Sequence, residues 1–210
     1  MPGTEFLDRI LRHERDFRRV AIQPPMPIDS DEYSAVTEFL QDAPETERDH
    51  GLDFRDAELE HLHAINWTFR NARFANADLT HAVLEQSTFY YATFDYARLL
   101  NVRIRGASFE RCHFVETLIR NTDLALTSFR TCIFHRSEIW NCRGIRRASG
   151  INSSTFTDSV VDLHGYLELH SVFGQKDGDN RYELAINLLD GRCTYSTSDT
   201  PFTHDLPKRF

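Results

Sequence analysis

Large apolar residues return every five positions through the middle of this 210-residue chain. The series runs Phe54, Leu59, Ala64, Phe69, Phe74, Leu79, Leu84, Phe89, Phe94, Leu99, Ile104, Phe109, Phe114, Ile119, Leu124, Phe129, Phe134 and Ile139, and only Ala64 is small. A strict five fits neither the 3.6 period of a helix nor the 2.0 period of a strand. Two residues ahead of most centres stands a small side chain, as at Ala57, Ala72, Ala92, Cys112, Thr117, Cys132 and Ser137. A chain that repeats one large inward, one small inward and three outward residues must turn a corner at every repeat. A second period lies inside the first. Phe recurs at 54, 74, 94, 114 and 134 and at 69, 89, 109 and 129, whereas Leu or Ile fills most of the remaining centres. The identity of the core residue thus repeats every twenty positions. Stacked coils place like side chains above one another, roughly 4.8 Å apart, so four repeats make one four-sided coil.

The runs ADLTH, ATFDY, ARLLN and ASFER resemble the pentapeptide-repeat family, whose consensus is A(D/N)LXX, and the pattern covers residues 52–149. The resemblance implies an all-β solenoid, a right-handed quadrilateral β-helix whose dry interior has no room for a ligand. Any site then lies on the outer faces or at the ends. Past Ile139 the register breaks at Gly144. Ile151, Phe156, Val161 and Tyr166 resume steps of five, with Ser149, Ser154 and Ser159 two places ahead of the first three, which predicts one more coil after a two-residue insertion.

The flanks carry different patterns. Over residues 5–20, Phe6, Leu7, Ile10, Leu11 and Phe17 share one face of an amphipathic helix, ended by Pro24, Pro25 and Pro27. A second helix is expected over residues 31–41, with Tyr33, Val36, Phe39 and Leu40 inward. Solenoid ends expose apolar core and unpaired edges, so these helices read as a cap. After Tyr166, alternation over 167–173, 182–188 and 192–196 with turns at Asp177-Gly178 and Asp190-Gly191 suggests a three-stranded meander. The middle segment also suits a helix ended by Gly191. The expected organisation is a helical cap over 1–50, a repeat rod over 51–166 and a β or α+β extension over 167–210.

The net charge is −8. Residues 52–149 hold eleven acids against thirteen Arg, so the acidity is in the flanks. No apolar run reaches the roughly 20 residues of a membrane helix, and the N-terminus lacks the apolar core of a secretory signal. A soluble cytoplasmic protein is expected. Cys112, Cys132, Cys142 and Cys193 show no metal spacing. Cys112 and Cys132 should stack inside in place of Ala.

On the twenty-residue map, Tyr96, Leu100, Val115, Leu118, Ile133 and Trp140 take water-facing slots around one edge, where contiguous apolar surface marks a contact site. With Glu116 they are the candidate binding residues. Beside them stand Asp95, His113 and His135, the carboxylate and imidazole types that acid–base catalysis needs. His61, His81, Asn101, Asn121 and Asn141 form a corner column in which the Asn side chains can bond up the ladder. Thr68, Thr88, Ser108 and Ser128 form a hydroxyl column. No dinucleotide, P-loop or zinc motif is present, so no cofactor or metal is expected.

Three functions follow. A binding scaffold holds a protein partner or small molecule on a rigid face, with a homodimer as one form of it. A cofactor-independent dehydratase or isomerase would use Asp95, His113 and His135. A gyrase-protecting DNA mimic, the role of the best-known proteins that the repeats resemble, would need an acidic rod, and this one is near neutral. Nucleic acid is not an expected partner, since no aromatics interleave with the Arg residues.

Overall fold

The computed structural model describes residues 1–42, 51–162, 183–187 and 192–196. Residues 52–162 wind into a four-sided β-solenoid in which each coil lies in register with the next, as in Phe69↔Phe89↔Phe109↔Phe129. The core centres form four columns. Phe74, Phe94, Phe114 and Phe134 back the first face, Leu79, Leu99, Ile119 and Ile139 the second, Leu84, Ile104 and Leu124 the third, and Phe89, Phe109 and Phe129 the fourth. Both Phe109 and Phe114 are fully buried, as the register requires. Within a column the rings lie nearly parallel, 4.9 Å apart for Phe74–Phe94 and 4.7 Å for Phe89–Phe109. Between the two Phe columns they meet edge to face, 5.7 Å apart for Phe109–Phe114, an arrangement suited to the ring quadrupole. Burying each Phe contributes roughly 2–3 kcal/mol.

The small inward position changes character along the rod for a polar reason. Thr117 Oγ1 donates to the Phe94 carbonyl at 2.7 Å, and Cys112 and Cys132 Sγ reach the Phe89 and Phe109 carbonyls at 3.4 Å. These side chains fit where Ala would and satisfy themselves on the coil before. Burial pushes the Cys142 thiol up to about 12, so it stays protonated at neutral pH.

The sides are short strands. The fourth face is a parallel sheet of β1 (Thr68–Arg70), β2 (Thr88–Tyr90), β4 (Ser108–Glu110) and β7 (Ser128–Arg130). The second face carries β3 (Arg98–Leu100), β6 (Leu118–Arg120), β9 (Glu138–Trp140) and β11 (Ser159–Asp162). The first face carries β5 (His113–Val115), β8 (Ile133–His135) and β10 (Thr155–Thr157). At almost every corner the residue two after the centre is left-handed, with φ between 51° and 66° from Asp56 to Asn141 and 74° at Gly106.

The N-terminal helix is shorter than its apolar spacing suggests. Helix α1 spans Gly3–Leu11, and Phe17 is not on it. Instead Phe17 stacks on Phe54 at 5.6 Å, Arg19 takes the left-handed corner, and Ile22 N–H bonds the Glu58 carbonyl at 3.0 Å. Phe17 and Ile22 thus start an incomplete coil that covers the first two faces. The other two are closed by α1 and by α2 (Asp31–Asp42). There the small position is Trp67, fully buried, which packs on Phe6 and Tyr33 and donates Nε1 to Thr37 Oγ1 at 3.1 Å.

The register break is two single insertions, not one of two residues. Asp123 faces Arg143, but Ser128 faces Ser149 and Ile133 faces Thr155, so two successive sides are each one residue longer. Gly144 and Gly150 open these corners at φ 76° and 68°, each followed by a 3-10 turn, Ile145–Arg147 and Ile151–Ser153. The inward small residue is consequently Ala148, and Ser149 is exposed.

At the far end β13 (Arg192–Ser196) pairs antiparallel with β11 and with β12 (Glu183–Asn187). The middle segment of the extension is therefore a strand. Its expected partner over 167–173, and Tyr166, lie outside the described residues.

Candidate interaction face

The first face is flat because its strands are parallel and in register, and side chains at the first and third strand positions both point outward. Stacked upon it are Thr93, His113 and Ile133 on one row and Asp95, Val115 and His135 on the next. Its two borders are left-handed corners, Tyr91–Arg111 on one side and Tyr96–Glu116–Arg136 on the other. Five large apolar side chains stand open to water in the described residues: Tyr96 (52%), Tyr91 (47%) and Ile133 (41%) belong to this face or its borders, whereas Leu126 (58%) and Ile28 (39%) lie elsewhere. Leu100, Val115, Leu118 and Trp140 are half-buried.

The apolar candidates occupy neighbouring slots with charges set between them. Val115 lies between Asp95 and His135. Arg120 lies between Leu100 and Trp140 and is ion-paired to Glu138 at 2.5 Å. Glu116 sits next to Tyr96 on its corner and pairs with Arg136 at 3.6 Å. The edge is thus a mixed surface of aromatic, aliphatic and paired charged groups.

Asp95, His113 and His135 share the first face but are not brought into contact. Asp95 Oδ1 accepts from the Val115 N–H at 3.2 Å, which ties the carboxylate to the coil below. His113 stands opposite Ile133 and His135 opposite Val115, so the two imidazoles are diagonal neighbours on different rows. No hydrogen bond joins the three among the described residues.

Tyr91 is not among the residues expected from the sequence, although His113 and Ile133 stand on the row next to its corner. The available signal was a Tyr in a corner slot that Asn fills one coil earlier, at Asn71. Arg111 secures Tyr91 by donating Nη1 to its hydroxyl and placing the guanidinium 5.4 Å from the ring centre. A similar pair, Arg70 over Tyr90 at 5.1 Å, lies on the fourth face. Elsewhere the expected columns form. Asn141 Nδ2 donates to Asn121 Oδ1 at 2.7 Å, and the His61 and His81 rings lie 6.3 Å apart. The hydroxyl column continues from Ser128 to Ser149.

Charge is organised across coils. Arg73 meets Asp53, Arg98 meets Asp78, Arg103 meets Glu85 and Arg130 meets Glu110, each at 4.0 Å or less. Acid faces acid near the capped end, where Asp16 lies over Asp53 and Glu58 over Asp78. Among the described residues no helix is long and apolar enough to cross a membrane.

Residues 69–113 match the family described as pentapeptide repeats (9 copies). No curated protein sequence matches the chain. Among solved structures, a trypsin-treated QnrB1, a plasmid-mediated fluoroquinolone resistance protein, is similar at 16% identity and a TM-score of 0.31, over 54% of this chain and 61% of that one. The chain therefore spans less than two thirds of that relative's length. The pentapeptide repeat protein Rfr23 from the cyanobacterium Cyanothece 51142 is similar at 14% identity and a TM-score of 0.31, over 76% of this chain and 99% of that one. HetL from Nostoc sp. strain PCC 7120, a pentapeptide repeat protein involved in heterocyst differentiation regulation, is similar at 15% identity and a TM-score of 0.20, over 51% and 50%.

Proposed function

We propose that this chain, a pentapeptide-repeat protein, is a non-catalytic scaffold that holds a protein partner against its first face. In this reading residues 1–50 are a cap, 51–166 the binding rod and 167–210 an extension. The supporting observation is the placement of Tyr91, Tyr96 and Ile133, open to water, around one flat face. Tyr and Arg are the side chains that interfaces enrich; Arg111 stands beside Tyr91, and Arg136 shares the corner column of Tyr96 with Glu116 between them. The backbone beneath is held by rungs such as Tyr96 N–H to the Val115 carbonyl at 2.8 Å. A partner therefore meets a surface that needs little ordering on binding.

The test is a photo-crosslinking residue placed singly at Tyr91, Tyr96, Gln86 or Leu126, the last two on the opposite border between the third and fourth faces. The expected result is one protein adduct from the two tyrosine positions and none from the controls. The same adduct should disappear from Tyr91→Ser/Tyr96→Ser protein whose melting temperature is unchanged. Adducts spread over all four positions would overturn the reading. A cross-linked homodimer from Tyr91 and Tyr96 alone would make the partner a second copy.

A further inference from the structure

The outward rows of the first face are matched to each other in charge. From the capped end, the first row reads Asp16, Asp53, Arg73, Thr93, His113 and Ile133. The second row stands two residues on at each level and reads Arg18, Arg55, Ala75, Asp95, Val115 and His135. A two-fold axis parallel to the rod, laid in front of this face, brings a second copy against it. That rotation keeps each coil at its own height and exchanges left with right, so first row meets second row. Asp16 then faces Arg18 of the other copy, Asp53 faces Arg55, Thr93 faces Asp95, and His113 and Ile133 face Val115 and His135. At the corners Tyr91 faces Tyr96 and Arg111 faces Glu116. None of these levels sets like charges together.

The match is particular to this face and to this axis. The same rotation in front of the second face would set Glu58 on Glu60, and in front of the third Arg103 on Arg105. In front of the fourth it joins no opposite charges, since Arg70, Glu110 and Arg130 would each meet a hydroxyl of the Thr68–Ser128 column. A two-fold axis across the first face at the level of His113, which would run the rods antiparallel, sets Arg111 on Arg111 and Glu116 on Glu116. Arg111 donates to the Tyr91 hydroxyl but makes no ion pair among the described residues. Glu116 has only a loose, exposed contact with Arg136 at 3.6 Å. A carboxylate on the other copy would give the Arg111 guanidinium a charge-assisted partner.

We propose that the partner held on the first face is a second copy of this chain, its rod parallel and side by side, with Arg111 of each copy paired to Glu116 of the other. The proposal rests on the reading of the first face as an interaction face and names its occupant. In an isologous pair of this kind every contact is made twice. The aromatic contact of Tyr91 with Tyr96 therefore flanks the interface on both sides, and the two ion pairs fix which coil meets which. A contact one solenoid side wide is at the small end of specific interfaces, so the dimer forms at micromolar rather than nanomolar protein.

The experiment is sedimentation equilibrium of the purified full chain from about 1 to 500 μM, the range a small interface requires. The parent chain should pass from monomer to dimer. Arg111→Glu and Glu116→Arg each place like charges together twice, so each variant alone should dimerise at least tenfold more weakly. Both side chains are exposed, and unchanged melting temperatures would show that the fold is kept. An equimolar mixture of the two variants rebuilds both ion pairs with their signs reversed or retained, and should recover dimer close to the parent's. A photo-crosslinking residue at Tyr91 should join the segment that carries Tyr96. A chain that stays monomeric throughout the range, a dimer indifferent to both variants, a mixture no tighter than its components, or cross-links from Tyr91 to Tyr91 would each sink the proposal. A monomer whose Tyr91 and Tyr96 positions both capture one other protein would remove the second copy and keep the interaction face. Adducts spread over the control borders as well would remove the face itself.

Discussion

At the residue scale the solenoid depends on a backbone conformation that most side chains resist. Left-handed φ is tolerated best by Gly and Asn, with Asp and His also enriched there, and Asn66, Asn71, Asn76, Asn101, Asn121 and Asn141 sit at such corners. Leu126 at φ 64° and Thr131 at φ 54° do not belong to that group, and Thr131 is β-branched. Both are exposed, so their cost is almost purely conformational. Leu126→Asn and Thr131→Asn are each expected to stabilise the fold by about 0.5–1 kcal/mol, seen as a higher denaturation midpoint at unchanged slope. A lower midpoint for both would mean that these side chains make contacts worth more than the strain. The same logic explains why Tyr91 and Tyr96 attract notice: each holds a strained slot that Asn would fill at less cost, so the aromatic ring is there for something other than the turn.

At the scale of elements the two enlarged corners rest on glycine. A Cβ at Gly144 would lie 2.7 Å from the Ala125 nitrogen, in addition to its φ of 76°. Gly106 has nearly the same φ, but a Cβ there meets nothing closer than Gln86 Cγ at 3.4 Å. Gly144→Ala should therefore destabilise by about 2–4 kcal/mol and Gly106→Ala by about 1 kcal/mol, measured by thermal unfolding of the two variants side by side. Equal losses would show that the clash at Ala125 relaxes. At these corners periodicity also stops being informative. The distance from Ile139 to Ile151 shows that two residues are extra, but the spacing alone cannot divide them between sides. Phe17 fits the apolar series of the first helix because it stands about two helical turns after Ile10, as a 3.6 period allows. Its true partner Phe54 is hidden by the intervening α2, which breaks the step of five. The columns themselves were legible because each inward residue repeats its own chemistry. The face around Tyr96 was legible as a set of slots.

At the scale of the whole molecule, charge alternates from coil to coil beyond the acid-on-acid stacking of the capped end. Pairs such as Asp78–Arg98 and Glu116–Arg136 place opposite signs one above the other, and exposed pairs of this kind contribute at most about 1 kcal/mol each to stability. Their larger effect is on the field around the rod, which among the described residues has no unbroken acidic stripe to imitate a phosphate backbone. Purified protein at submicromolar concentration is accordingly expected to leave supercoiling by DNA gyrase unchanged, and inhibition in that range would refute this. The stacking of Phe on Phe and aliphatic on aliphatic has a further consequence, for how such a gene can change length. Losing or gaining a single repeat would set Phe against Leu or Ile in two of the four columns where the later coils meet the earlier ones, and would move every later outward residue to a neighbouring side. Losing or gaining the codons of one whole coil would leave each column intact and shift only the distance between the ends, so the rod can be lengthened by whole-coil duplication without redesign of its interior.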